Sequence, residues 1–145
     1  THDKTEYPIG YNTRSDQDWV HFRYAEILLA VAEAENELNG PTQKAYDAIN
    51  RIRKRAEMPP LPQGLDQVQM REKIRHERRI ELAFEGHRYF DLKRWHIIEE
   101  IMNNFEEPTL PLYKSVFEKR FYLWPIPQSE IDKNNGVLIQ NPDYK

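Results

Sequence analysis

The stretch Glu77-Arg-Arg-Ile-Glu-Leu-Ala-Phe-Glu-Gly-His-Arg-Tyr-Phe-Asp-Leu-Lys-Arg-Trp95 decides how the rest of the chain is read, because it carries more charge than a helix with one buried face should. At about 100° per residue, Met70, Ile74, Ile80 and Phe84 fall on one side of a helix, and Glu77, Glu81 and Arg88 fall on that same side. Arg75, Arg79 and Glu72 fall opposite. A carboxylate on an apolar face is tolerated only when it is paired and hydrogen-bonded. The stretch therefore predicts an internal ion network of Glu77, Arg78, Glu81, Glu85, Arg88, Asp91 and Arg94, with Glu81 largely buried. Gly86 is the place where the helix ends or kinks.

Composition bounds the possibilities around this core. The chain has 145 residues, 39% hydrophobic and 31% charged, which suffices for one globular core and is too polar for a membrane span. A formal net charge of −3, with basic residues interleaved among acids, gives no nucleic-acid footprint. The absence of cysteine excludes disulfides, zinc-thiolate sites and thiol catalysis.

Upstream of the motif, residues 1–18 mix Pro8, Gly10, Asn12 and Ser15 with Tyr7 and Tyr11 and read as an extended lead-in, with Asp16 or Asp18 placed to cap a helix. From Trp19 to Leu38 the pattern is helical, and its apolar arc is so wide that both sides should be covered. Glu35 projects into that arc and joins the candidates for the ion network. Gly40 suits a C-cap and Pro41 the next start. A second helix, about residues 43–56, lines up Ala45, Ala48, Ile49, Ile52 and Ala56, and the pair 19–56 has the form of one tetratricopeptide-type hairpin. Met58-Pro-Pro-Leu-Pro-Gln-Gly64 is a stiff connector, and Asp66 begins the motif helices of 66–103, the last piece running from about His87 to Asn103.

Residues 104–145 read as irregular. Pro108 and Pro111 bound a loop, Arg120-Phe-Tyr-Leu-Trp-Pro-Ile-Pro127 is extended, Ser129-Glu-Ile-Asp132 forms a turn, and the tail is extended. The fold expected is mainly α: a tetratricopeptide-like helical hairpin plus further helices, with an irregular, Pro-rich C-terminal segment.

Three stretches in this order carry a resemblance. Arg78 through Trp95 fits Arg-x-x-Glu-Leu-x-x-Glu-Gly-x-Arg-x-x-Asp-Leu-x-Arg-Trp; Arg23-Tyr-Ala-Glu-Ile-Leu-Leu-Ala-Val-Ala-Glu-Ala-Glu-Asn-Glu-Leu38 precedes it; Leu123-Trp-Pro-Ile-Pro-Gln-Ser-Glu-Ile-Asp132 and Gln140-Asn-Pro-Asp-Tyr144 follow. The chain thereby resembles the C-terminal portion of the SusD/RagB outer-membrane glycan-binding lipoproteins. The resemblance implies capture of oligosaccharide at the cell surface, with no enzymatic activity and no cofactor. It also implies a SusC-like TonB-dependent transporter as partner, further helical hairpins upstream, and attachment to the outer membrane through a lipid-carrying cysteine upstream of Thr1. From the residues alone, a tetratricopeptide-type adaptor binding peptides is the alternative.

Catalytic and metal chemistry find no footing in the motifs. Glu99-Glu100 and Glu106-Glu107 are neighbours in sequence and do not face one another across a sugar, as a glycosidase requires. Glu77, Glu81 and Glu85 lie among arginines that suit ion pairs better than a proton-donating acid. His76-Glu-Arg-Arg-Ile80 begins like a zinc-protease helix, but Ile80 stands where the second histidine is needed. Sugar platforms need flat rings. Trp95 and Trp124, set among apolar neighbours, are expected in the core, which leaves Tyr11 and Trp19 as the candidate ligand residues.

Overall fold

The protein is described by a computed structural model covering residues 20–106 and 115–144. Two compact units are present, Thr1–Arg78 and Arg79–Lys145. Among the described residues the elements are helical: α1 (Tyr24–Asn39), α2 (Gln43–Arg55), α3 (Gln67–Glu81), α4 (His87–Arg94), α5 (Ile98–Asn103), a 3-10 turn (Lys119–Tyr122) and α6 (Gln128–Lys133).

In the first unit, α1 and α2 form the expected hairpin. Gly40 sits at φ +79°, and its N–H donates to the Asn36 carbonyl, closing α1 as a glycine can at little cost. Thr42 caps α2 and also donates its hydroxyl to Glu35 at 3.0 Å. The buried core joins Ala32 of α1, Ala45, Tyr46, Ala48 and Ile49 of α2, Leu61 of the connector, and Met70 and Ile74 of α3. The connector is held by one face of α2: Leu65 N–H donates to the Tyr46 hydroxyl, Leu61 N–H to Asn50 Oδ1, and Arg53 Nε to the Pro59 carbonyl. Positions 46, 50 and 53 recur at helical spacing, so a stretch without regular structure is fixed by a regular one. Asp66 and Gln69 then exchange side-chain-to-backbone bonds, 2.8 Å and 3.1 Å, a reciprocal cap that starts α3.

Two helix limits differ from expectation. The first helix begins at Tyr24, since Arg23 is extended at φ −139°. Val20 and Phe22 face solvent, so helical placement would bring them no packing, and packing is the main support of a helix. Trp19, Asp16 and Asp18 lie outside the described residues. Ala56, assigned to the buried face of α2, is exposed beyond the helix end, where Glu57 turns left-handed at φ +55°.

The central motif is not one helix. After Glu81 the chain turns through residues 82–86, with Phe84 at φ +65° and Gly86 at φ +81°. Helical phase is lost there, so Leu82 becomes buried while Phe84, expected on the buried face, is fully exposed; Ile80 is exposed as well. The expected helix from His87 to Asn103 is also broken. His96 at φ +54° ends α4, with Ile97 N–H donating to the Leu92 carbonyl, five residues back. The turn lets Ile98 pack with Leu92 and Phe117 in the core of the second unit.

Arg120, Phe121 and Tyr122, expected extended, belong to the 3-10 turn Lys119–Tyr122, which presents Phe121 and Tyr122 to that same core, Phe117 meeting both rings edge-on. From Leu123 the chain is extended, and the tail is laced to it. Gln140 exchanges two bonds with the backbone of Ile126, Asn141 Nδ2 donates to the Trp124 carbonyl at 2.6 Å, and the Tyr144 hydroxyl to that of Leu123. The two C-terminal sequence motifs are thus two sides of one contact. Side-chain amides supply the partners that backbone groups outside helices and sheets would otherwise lack.

Candidate functional site

Glu77 and Arg78 are buried near the C-terminal end of α3. Arg53 Nη1 lies 2.7 Å from Glu77 Oε2, with both side chains about nine-tenths out of solvent at 15% and 11% exposure. Arg53 is not marked by the sequence as a partner, because nothing in the run Arg51-Ile-Arg-Lys-Arg55 distinguishes the arginine that reaches α3. In the second unit, Asp91 is buried and accepts from Arg94 Nε at 3.0 Å, one turn along α4. Glu81, Glu85 and Arg88 are half-buried rather than fully so, and these three and Arg78 are also engaged by partners. Glu81, expected to be largely buried, is half-buried at the last residue of α3.

Glu35 takes a different place from the one expected. It lies at the α1–α2 turn, accepting from Asn39, Thr42 and Lys44. These contacts, Asn39 first, then Lys44 and Thr42, hold its carboxyl below the ordinary 4.5. Glu37 is bound fork-to-fork by Arg71 of α3, at 2.6 and 2.5 Å, and this pairing likewise lowers the Glu37 carboxyl and raises the Arg71 guanidinium. All of these acids are fastened to cations or amides, which is the setting of structural ion pairs rather than of a poised acid and base.

The surface offers a more suitable feature. Trp124, expected in the core, is 71% exposed, because the 123–126 segment uses its backbone carbonyls to hold the tail and leaves the indole outside. Lys93 Nζ stands 5.8 Å from the Trp124 ring centre and 5.3 Å from that of Tyr89, a cation held over two aromatic faces. Phe90 meets Tyr89 edge-on. Tyr89 and Lys93 share a helix face at i, i+4, a pairing that sequence can supply; the approach of Trp124 from a point 31 residues beyond Lys93 depends on the fold. Rings and an ammonium donor together can receive a hydroxylated ligand. The candidate ligand residues Tyr11 and Trp19 lie outside the described residues. An open groove is lined by Asn50, Lys54, Glu57, Met58, Pro59 and Pro60. Among the described residues no cluster of three or more acids and histidines could hold a metal, and no helix is long and apolar enough to cross a membrane.

The sequence profile of the SusD family matches residues 3–144. The chain belongs to the SusD family. It is 39% identical over 144 residues to SusD-like protein P2 of Formosa agariphila, covering 93% of this chain and 28% of that protein. Among solved structures, a SusD-like protein from Bacteroides fragilis superposes with a TM-score of 0.74 at 39% identity, over 87% of this chain and 26% of that one. A surface glycan-binding protein A from Bacteroides thetaiotaomicron, in complex with laminarihexaose, superposes with a TM-score of 0.66 at 28% identity, over 85% of this chain and 24% of that one. The chain thus spans about a quarter of the length of these relatives. The mainly helical fold expected from the sequence is that of the family.

Proposed function

We propose that the chain is the C-terminal portion of a cell-surface lipoprotein that captures oligosaccharides and passes them to a TonB-dependent transporter in the outer membrane. The observation that carries this reading is family membership over nearly the whole chain, taken with a relative of the same fold that holds laminarihexaose. In this reading the protein binds its ligand without breaking it, which the pairing of motif acids with arginines supports: Glu77 with Arg53 and Asp91 with Arg94. The main sugar platform is built by portions of the full-length protein outside these residues. Tyr89, Lys93 and Trp124, with Tyr11 and Trp19, are accessory candidates. The motif acids and arginines, Glu77, Arg78, Glu81, Glu85, Arg88, Asp91 and Arg94, serve to hold the scaffold.

The test is made on the full-length protein in its own membranes. Outer-membrane extracts passed over immobilised laminarihexaose and related glucans should retain it, and affinity purification of the protein should bring down a barrel identifiable by mass spectrometry. Recovery from the cytosolic fraction with peptides bound, and with no barrel, would replace this reading with the tetratricopeptide-type adaptor.

A further inference from the structure

Three polar groups meet on the surface of the second unit, and among the described residues none of them is hydrogen-bonded. The Lys93 ammonium stands over the faces of Tyr89 and Trp124 without a carboxylate partner, and the Tyr89 hydroxyl and the Trp124 indole N–H are equally unengaged. The helix explains the lysine. The positions one turn away from it, Tyr89, Phe90, His96 and Ile97, include no acid, and the acid of α4, Asp91, is buried and held by Arg94. The rings are open as well: Trp124 is 71% exposed and Tyr89 38%, so most of the indole stays accessible with the ammonium in place. Both rings are also set in advance. Asn141 and Tyr144 hold the carbonyls of Trp124 and Leu123, and Phe90 braces Tyr89 edge-on at 5.6 Å, so little ordering is left for a ligand to impose.

We propose that Tyr89, Lys93 and Trp124 form an accessory subsite for an anionic sugar residue, a pyranose bearing a carboxylate or a sulfate ester. The inference deepens the glycan-capture reading and rests on it. Aromatic faces receive the apolar side of a pyranose whatever its charge, so the rings alone do not choose between acidic and neutral sugars. The ammonium does. It is a compact charge with three donors on a flexible stem, and the ring faces beside it satisfy its charge without accepting its hydrogen bonds in the way an oxygen does. An anionic oxygen supplies the missing acceptor in a charge-assisted hydrogen bond, roughly twice as strong as the neutral one that a sugar hydroxyl would make. The Tyr89 hydroxyl and the Trp124 N–H are then left for the neutral hydroxyls of the same residue. With no acid beside Lys93 to compete, selection by charge falls to this one side chain.

Calorimetry on the full-length protein tests it with three probes: an oligogalacturonate, a sulfated galactan oligomer and neutral laminarihexaose. At least one anionic oligomer is expected to bind, and which one responds tells carboxylate from sulfate. Its affinity should fall about 10-fold in Lys93→Gln, the scale of one hydrogen bond to a charged group, and return in Lys93→Arg. Trp124→Ala should weaken the same binding, and added salt should weaken it in the unmodified protein. Laminarihexaose binding should stay within about 2-fold in Lys93→Gln, the scale of an ordinary surface change, and circular dichroism should be the same for all variants. Failure of both anionic oligomers to bind, or equal binding by Lys93→Gln and the unmodified protein, overturns the proposal. An equal loss of laminarihexaose binding in Lys93→Gln also overturns it, because the lysine would then not be reading charge. Retention on glucans with a co-purifying barrel, in a protein that ignores anionic sugars, removes this subsite alone; absence of both retention and barrel removes the capture reading instead and the subsite with it.

Discussion

At Glu77 the energetics turn on the fact that a carboxylate has been taken out of water and given one guanidinium. Arg53 compensates that charge at 2.7 Å. Deleting either partner leaves the other buried without it, which typically costs about 3–5 kcal/mol. Arg53→Ala is expected to lower unfolding stability by about 3 kcal/mol in a denaturant titration, and a loss below about 0.5 kcal/mol, the scale of an ordinary surface change, would remove the pair from the account of stability. The double variant Arg53→Met with Glu77→Leu should recover most of the loss, since it leaves no charge behind. The acids at the C-terminal end of α1 respond to pH. Glu37 and Glu35 have carboxyls lowered in the folded protein from the ordinary 4.5, by Arg71 for the first and by Asn39, Lys44 and Thr42 for the second. The folded state therefore binds fewer protons than the unfolded chain near that pH, so their contribution is fully present above 4.5 and is lost as pH falls through the lowered folded-state values. The melting temperature should drop as the solution is acidified below 4.5, and the drop should be shallower in Glu37→Gln. An unchanged slope in that variant would mean that the Arg71 fork does not contribute. Both groups are partly in contact with water, so salt should reduce the effect.

Helix starts and stops are where this chain departs most from simple periodicity, and the reasons are local. Asp66 and Gln69 close the start of α3 by reciprocal bonds. Asp66→Ala should cost about 1 kcal/mol, measured by denaturant unfolding, with Asp66→Asn recovering most of it. Equal stability of the alanine and asparagine variants would show that the cap is dispensable. The turn at residues 82–86 and the stop at His96 were only partly legible. Gly86 announces a break, and it does adopt φ +81°. Phe84 and His96 also turn left-handed, and no rule of residue type would choose a phenylalanine for that conformation. Such residues are held by what surrounds them: ending α4 at Trp95 places Ile98 in the core beside Leu92 and Phe117, and that gain outweighs the local strain. The same competition explains Trp124. Its neighbours in sequence are apolar, yet the backbone on either side of it is committed to Gln140, Asn141 and Tyr144, so the indole is left outside.

Across the whole chain, the described residues present many large apolar side chains to solvent, among them Phe22, Leu38, Phe84, Trp124, Val137 and Ile139. A sugar site needs aromatic platforms together with converging polar groups, and the Tyr89–Lys93–Trp124 surface supplies rings and one cation. The 145 residues alone are therefore expected to bind laminarihexaose weakly or not at all by calorimetry, beside measurable binding by the full-length protein. Tight binding by the short chain that is lost in Trp124→Ala would instead move the platform into the second unit. What the sequence by itself determined is the helical character of the chain, the α1–α2 hairpin, the cap at Asp66, the doubly apolar nature of α1, and the family, because period, capping residues and ordered motifs are properties of short stretches. Only the tertiary structure decided that Arg53 is the partner of Glu77, that Glu35 serves the hairpin turn, that the central motif bends after Glu81, and that Gln140 to Tyr144 fasten the Leu123–Ile126 segment. Each of these joins residues distant in sequence or trades local preference against burial, and which trade wins is set by the packing of the whole rather than by any stretch read alone.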